Sequence, residues 1–135
     1  MTGQLPNPKS RWRRFFHSFD HAFSGVRYAF KTQVNMRVHL GIAVVVVALA
    51  WYLGLELVQW AILGLTVGFV MVAEMFNTVA EAAMDAATPY YHPLVKVAKD
   101  VAAGAVLITA FVSVSVGLLI LGPPLWARIV ACLSR

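Results

Sequence analysis

Four polar residues recur on one face of an otherwise apolar helical segment, and their types and spacing could support chemistry. Glu74, Asn77, Glu81 and Asp85 lie three, four and four positions apart, a spacing that places them on one side of an α-helix. Carboxylates on one face repel one another unless protons or a cation intervene. Mg²⁺ suits them, because it takes oxygen ligands from one or two carboxylates together with phosphate oxygens. The pattern therefore indicates a cation-dependent polar site, and a bound nucleotide would supply the phosphates.

The composition of the chain indicates that this site belongs to a membrane protein. Of the 135 residues, 60% are hydrophobic and only 13% are charged, and the mean hydropathy is +0.73. Soluble domains carry about 25% charged residues, so disorder is excluded and an ordinary soluble domain is not expected. The length allows one domain. The net charge of +5 suits anionic lipid, and we expect no nucleic-acid partner because no binding motif is present.

Three stretches without Asp, Glu, Lys or Arg cover residues 38–55, 57–73 and 101–127. A transmembrane helix needs about 20 apolar residues, and the second stretch continues as a helical pattern to about Asp85. The sequence therefore predicts an all-α protein with three transmembrane helices. A very short turn around Glu56 should join the first two as an antiparallel hairpin. The breaker Gly122-Pro123-Pro124 should end the third, which leaves residues 123–135 as a C-terminal tail.

The N-terminal segment has a different pattern. Residues 11–32 alternate aromatic and basic side chains at helical spacing, which predicts an amphipathic helix on the membrane surface. This helix could serve only as an anchor, or it could also cover a cytoplasmic site. We expect residues 1–10 to be disordered and residues 33–122 to form the membrane domain. Lys and Arg are concentrated before the first span and before the third, so the N-terminus should be cytoplasmic.

The depths of the carboxylates indicate different roles. If Trp60 marks the outer interface, Glu74 lies about 21 Å and Glu81 about 32 Å further in. Because the hydrocarbon layer is about 30 Å thick, Glu74 would lie within it, Glu81 near its inner interface and Asp85 beyond it. A carboxylate at the depth of Glu74 is costly and is a functional candidate, suited to accept a proton. An interfacial helix end with ordinary ion pairs fits Asp85 equally well. Lys99 could bind a nucleotide or simply extend towards water.

The polar segments together resemble the small membrane diacylglycerol kinase family of bacteria, and its undecaprenol kinase branch is the closer match. The similarity covers about residues 14–121, and Asn35-Met36-Arg37-Val38-His39 supports that branch. The motif consists of Glu74-x-x-Asn77-Thr78-x-x-Glu81-x-x-x-Asp85, Tyr91-His92-Pro93-Leu94 and Lys96-x-x-Lys99-Asp100-x-Ala102-Ala103-Gly104-Ala105-Val106.

The resemblance implies a homotrimer in the bacterial cytoplasmic (inner) membrane that transfers the γ-phosphate of ATP to a lipid hydroxyl with Mg²⁺. It implies that Glu74 is the general base and that Glu81 and Gln33 hold the metal. The residues that it implies for the nucleotide are Arg14, His21, Asn77, Asp85, Tyr90, Tyr91, His92, Lys99 and Asp100. Those that it implies for the lipid are Asn35, Arg37 and Ala103.

The sequence departs from the family pattern at Gln33, where the family commonly carries a second metal-binding Glu. A neutral amide oxygen can still bind Mg²⁺, but it contributes no charge. This departure keeps open a non-catalytic sensor that binds nucleotide or lipid. A small ion-conducting oligomer with a ring of carboxylates is a further alternative. Between the two acceptors, undecaprenol is favoured over diacylglycerol.

Overall fold

The structure is a computed structural model that describes residues 8–88 and 90–134, except for the side chains of residues 8–11, 14 and 15. Four helices follow one another: α1 (Pro8–Thr32), α2 (Val34–Leu53), α3 (Leu57–Ala87) and α4 (Pro93–Leu133). No strand occurs among the described residues. The prediction of an all-α protein is therefore confirmed.

Three of these helices, α2, α3 and α4, are long and apolar enough to cross a membrane, as the sequence predicted. The helix α3 has 31 residues, so it is about 46 Å long and exceeds the hydrocarbon thickness of about 30 Å. One end of α3 must therefore project beyond the hydrocarbon. The predicted polar face occupies the C-terminal half of this helix.

The connection between α2 and α3 is the short turn that the sequence predicted. Gly54 ends α2 in the left-handed conformation, with φ at 70°, which a glycine adopts without steric cost. Glu56 precedes α3 and forms a reciprocal capping box with Gln59. The Gln59 side chain accepts the Glu56 backbone N–H at 2.9 Å. These contacts satisfy backbone groups that a helix end otherwise leaves free, and they fix the start of α3.

The helix α3 packs mainly against α4, with fewer contacts to α2. A small apolar cluster lies near the hairpin turn and consists of Ala50, Leu53, Leu63 and Leu121. Most large apolar side chains of the three spans remain exposed in the single chain. Exposed apolar area on this scale must be covered by lipid or by another protein surface.

The junction between α1 and α2 is a single residue, Gln33. Its extended backbone, with φ at −97° and ψ at 119°, interrupts the helix, and its N–H still bonds to the Ala29 carbonyl at 2.9 Å. Ala29 and Met36, on either side of the junction, are each only 1% exposed. This packing holds the end of α1 against the spans. The helix begins at Pro8, slightly earlier than predicted, and residues 1–7 lie outside the described part.

The expected helix break at Gly122-Pro123-Pro124 is wrong, because α4 runs through both prolines to Leu133. A proline in a helix removes one backbone hydrogen bond and crowds the carbonyl four residues back. Its fixed φ is nevertheless helical, and Gly122 has no Cβ to clash with the ring that follows it. In an apolar environment the remaining backbone groups are satisfied only if the helix resumes. Much of the predicted tail is therefore helical.

This extension of α4 brings Arg128 to the end of α2. The Arg128 guanidinium lies 4.7 Å from the centre of the Tyr52 ring, within the range of a cation–π interaction. Tyr52 lies two residues before Gly54, next to the hairpin turn. The contact therefore attaches the C-terminal part of α4 to the end of the bundle opposite the polar face of α3.

We expect Tyr52→Leu to lower the free energy of unfolding by about 0.5–1 kcal/mol, because Arg128 loses the aromatic face. Tyr52→Phe keeps the ring and should have little effect. Thermal unfolding in detergent micelles measures both. In an Arg128→Gln background, Tyr52→Leu should cost nothing further; an equal loss in both backgrounds would show that the ring stabilises the protein in another way.

Candidate active site

Glu74 is buried in the middle of the helical bundle. Its side chain is 1% exposed, and its Oε1 lies 3.4 Å from Nε2 of His39 on α2. That separation is longer than a typical N–H···O hydrogen bond. Among the described residues, Oε1 of Glu74 has no hydrogen-bond partner. A buried polar atom left unpaired is costly, so this oxygen is suited to receive a hydrogen-bond donor from a ligand.

A second cluster forms around Glu81, about two turns further along α3. The Gln33 side chain donates from Nε2 to Oε2 of Glu81 at 3.1 Å. Asn77 donates from Nδ2 to Oε1 of Glu81, also at 3.1 Å. Oδ1 of Asn77 is buried without a partner. The structure thus brings together the two predicted metal ligands, Gln33 and Glu81, and places Asn77 between them and Glu74.

The oxygen donors of this cluster suit a particular kind of cation site. Among the described residues, no group of three or more His, Cys, Asp or Glu could hold a metal ion. The cluster instead combines one carboxylate, Glu81, with the amides of Gln33 and Asn77, and an amide that rotates by 180° presents its oxygen in place of its nitrogen. Mg²⁺ fits such a set, because it is usually bound by one or two carboxylates plus substrate phosphates.

Glu74 and Asn77 line a cavity of about 260 Å³. Its other lining residues come from α2 and α4 and are Asn35, His39, Ala103, Val106, Leu107 and Ala110. A second cavity of about 370 Å³ is lined almost entirely by apolar side chains of the three spans, as far as Leu125. His39 and Ala110 line both cavities. A molecule with a polar end and a long apolar chain fits this arrangement.

The charged residues near the ends of α3 and α4 form two ion pairs. Lys99 donates to Asp85 and thereby connects α4 to α3. Lys96 pairs with Asp100 one turn along α4. The ion-pair alternative that the sequence left open for Asp85 is therefore the arrangement found, and all four groups remain accessible to a ligand because none of them is buried.

Several predicted site residues are not part of the clusters around Glu74 and Glu81. His21 and Arg37 are exposed and line neither cavity. Tyr90 and Tyr91, in the loop before α4, are each about 80% exposed. The side chain of Arg14 lies outside the described part of the chain.

His92 begins α4 rather than pointing into the site. Its Nδ1 accepts the backbone N–H of Leu94 at 3.2 Å, and Pro93 occupies the first helical position. Both features are favourable at a helix N-terminus. This role explains the His92-Pro93 pair without a ligand.

Of the predicted lipid residues, Asn35 and Ala103 line the polar cavity beside Glu74.

His39 was missed as a site residue, although a signal for it exists in the sequence. It follows Asn35 by four positions, so the two share one face of α2, and the rest of that helix is almost wholly apolar. A histidine inside a span requires a polar environment, and here its Nε2 lies 3.4 Å from Oε1 of Glu74.

The fold and the site define a small α-helical membrane protein with a carboxylate centre between its spans. A family model for prokaryotic diacylglycerol kinase matches residues 20–121. The chain belongs to this family. The family that the polar motif resembled is confirmed. The prediction that the protein is a kinase is also confirmed.

Individual relatives extend over nearly the whole chain. A diacylglycerol kinase of Synechocystis sp. is 43% identical over 129 residues, which cover 93% of this chain and 74% of that protein. An undecaprenol kinase of Bacillus subtilis is 38% identical over 117 residues, which cover 87% and 95%. A diacylglycerol kinase of Escherichia coli K12 is 30% identical over 111 residues, which cover 82% and 90%.

Proposed function

We propose that this protein is an ATP- and Mg²⁺-dependent kinase that phosphorylates the hydroxyl of a membrane lipid alcohol. One observation carries the proposal. The buried Oε1 of Glu74 has no hydrogen-bond partner among the described residues and lines a polar cavity that adjoins an apolar one. A lipid alcohol fits both, because its hydroxyl can donate to Glu74 while its chain occupies the apolar cavity.

In the proposed reaction, Glu74 acts as the general base. The lipid oxygen attacks the γ-phosphorus, the bond from that phosphorus to the β-phosphate oxygen breaks, and ADP leaves. The hydroxyl proton passes to the Glu74 carboxylate. A base for this step must lie within hydrogen-bond reach of the hydroxyl. Positioning and electrostatic stabilisation supply most of the remaining catalysis in phosphoryl transfer.

The cluster around Glu81 would hold Mg²⁺. Glu81 supplies the charge, and Gln33 and Asn77 supply amide oxygens once their side chains rotate. When bound, Mg²⁺ neutralises charge on the phosphates. Because Asn77 lies one turn from Glu74 and contacts Glu81, the cluster and the base are held by the same stretch of α3.

We place the nucleotide near the ion pairs of α3 and α4. Lys99 is suited to bind a phosphate, and Asp85 and Asp100 are suited to the groups around it. We retain Arg14, His21, Tyr90, Tyr91 and His92 as further nucleotide contacts on the family resemblance. We likewise retain Arg37 for the lipid, beside Asn35 and Ala103.

We favour undecaprenol over diacylglycerol as the acceptor. The relatives do not separate the two, since proteins of both names match the chain at similar identity. Oε1 of Glu74 has no hydrogen-bond partner among the described residues, and a carboxylate oxygen accepts hydrogen bonds. An alcohol whose polar end is only a hydroxyl suits it, whereas ester carbonyls are themselves acceptors.

We propose a homotrimer in the bacterial inner membrane with the N-terminus in the cytoplasm. The support is the exposed apolar area of the spans, the small enclosure that three helices provide, and the Lys and Arg before α2 and at the start of α4. In this arrangement α1 lies on the cytoplasmic surface. Aromatic residues such as Trp12 and Phe23 are exposed there.

A non-catalytic sensor is the second candidate, and Gln33 is the observation that favours it. The Gln33 amide contributes no charge beside Glu81. A site with one carboxylate could bind a nucleotide without organising its phosphates for transfer.

Transfer of labelled γ-phosphate from Mg-ATP to undecaprenol and to diacylglycerol tests the function directly. We expect the purified protein in mixed micelles to phosphorylate both, with undecaprenol preferred when the two compete. A folded protein that binds ATP and transfers phosphate to neither lipid would support the sensor instead.

We expect Glu74→Gln to lower kcat by about 100- to 10,000-fold, because the amide cannot accept the hydroxyl proton. ATP binding, measured by calorimetry, should remain. Glu56→Gln is the matched control, since it makes the same change in the turn between α2 and α3. Turnover close to the wild-type rate in Glu74→Gln would exclude Glu74 as the base.

We expect Gln33→Glu to lower the Mg²⁺ concentration for half-maximal activity by about tenfold, because ligand charge tunes cation affinity. Gln59→Glu adds the same charge in the hairpin turn and should leave the curve unchanged. If the Mg²⁺ curves of Gln33→Glu and the wild type coincide, residue 33 is not a metal ligand.

A further inference from the structure

We infer that His39 is a positioning residue that holds the Glu74 carboxylate in place for the acceptor hydroxyl. The inference rests on the proposed function, in which Glu74 is the base. It assigns a role to a residue that neither the carboxylate face nor the metal cluster contains.

The geometry places one imidazole beside one buried carboxylate. Nε2 of His39 lies 3.4 Å from Oε1 of Glu74, and the His39 side chain is 20% exposed. A small rotation of the ring would bring Nε2 within the distance of an ordinary hydrogen bond. In the imidazole tautomer that carries its hydrogen on Nε2, this N–H would donate to Oε1 and leave that oxygen a second lone pair for the lipid hydroxyl.

The other groups near Glu74 are less well placed than His39 for this contact. The residues that α4 contributes to the polar cavity, Ala103, Val106, Leu107 and Ala110, are all apolar. On α3, the Asn77 amide is already donated to Glu81, and Glu81 itself would repel the Glu74 carboxylate. The hydroxyl of Thr78 donates to the Glu74 backbone carbonyl. Asn35 also carries an amide and lines this cavity, but the donor that the structure places beside Oε1 of Glu74, at 3.4 Å, is Nε2 of His39.

The position of His39 between the cavities explains why orientation matters there. His39 lines the polar cavity with Glu74 and also lines the apolar cavity. A hydroxyl attached to a chain in the apolar cavity would therefore lie close to the imidazole when it reaches Glu74. A carboxylate free to rotate would meet this hydroxyl in fewer productive orientations, and errors of about 1 Å in such geometry can cost about 100-fold in rate.

The kinetic test compares two variants of His39. His39→Leu removes the donor, whereas His39→Gln keeps an N–H at a similar reach. We expect His39→Leu to lower kcat by about 10- to 100-fold, the range for a lost hydrogen bond to a charged group. The KM for ATP should stay unchanged, and His39→Gln should restore most of kcat. His17→Leu, on the exposed face of α1, is the matched control and should behave as wild type.

A spectroscopic test does not depend on turnover. In protein labelled with ¹⁵N-histidine, the Nε2 signal of His39 should move when Glu74 is replaced by Gln, while the signal of His17 should not. A shift confined to His39 would support the contact even if the protein phosphorylates neither lipid, so failure of the proposed function remains distinguishable from failure of this inference.

Three results would overturn the inference. One is a wild-type kcat in His39→Leu. Another is an equal loss in His39→Leu and His39→Gln, which would indicate that the ring fills space. The third is a raised KM for the lipid with kcat unchanged, which would make His39 a lipid contact rather than a positioning residue for Glu74.

Discussion

The placement of one carboxylate inside an apolar helical bundle is the constraint on which the rest of the site depends. Glu74 is 1% exposed, and a charge at such a position is stable only with a partner or a transferable proton. The structure supplies a histidine from α2 at 3.4 Å and a cavity that both side chains line. The bundle therefore keeps a costly group in a position where a ligand can use it.

The same helix connects this carboxylate to the α1–α2 junction. Glu81 receives one amide from its own helix and one from Gln33, and Gln33 is the residue at which the α1 helix ends and α2 begins. Movement of α1 would therefore displace a group that contacts Glu81. Because Asn77 contacts Glu81 and lies one turn from Glu74, a displacement of α1 has a short physical route to the proposed base.

Packing within the single chain is sparse, and this shapes what the protein can do. The apolar cluster near the hairpin turn and the Arg128–Tyr52 contact lie at one end, whereas the polar groups lie at the other. Stabilising contacts are thus separated from the site. Such a separation leaves the polar end free to rearrange its side chains when a ligand binds, while the hairpin end keeps the helices in register.

The sequence by itself determined the three spans, the hairpin turn and the shared face of Glu74, Asn77 and Glu81, because hydrophobicity and helical spacing are local properties. It did not determine the course of α4 through Pro123, where the cost of two prolines competes with that of leaving backbone groups unsatisfied in an apolar environment. Only the tertiary structure decided that His39 faces Glu74 and that Gln33 faces Glu81. These contacts join residues 35 and 48 positions apart, and their distances depend on how the helices pack rather than on any local pattern.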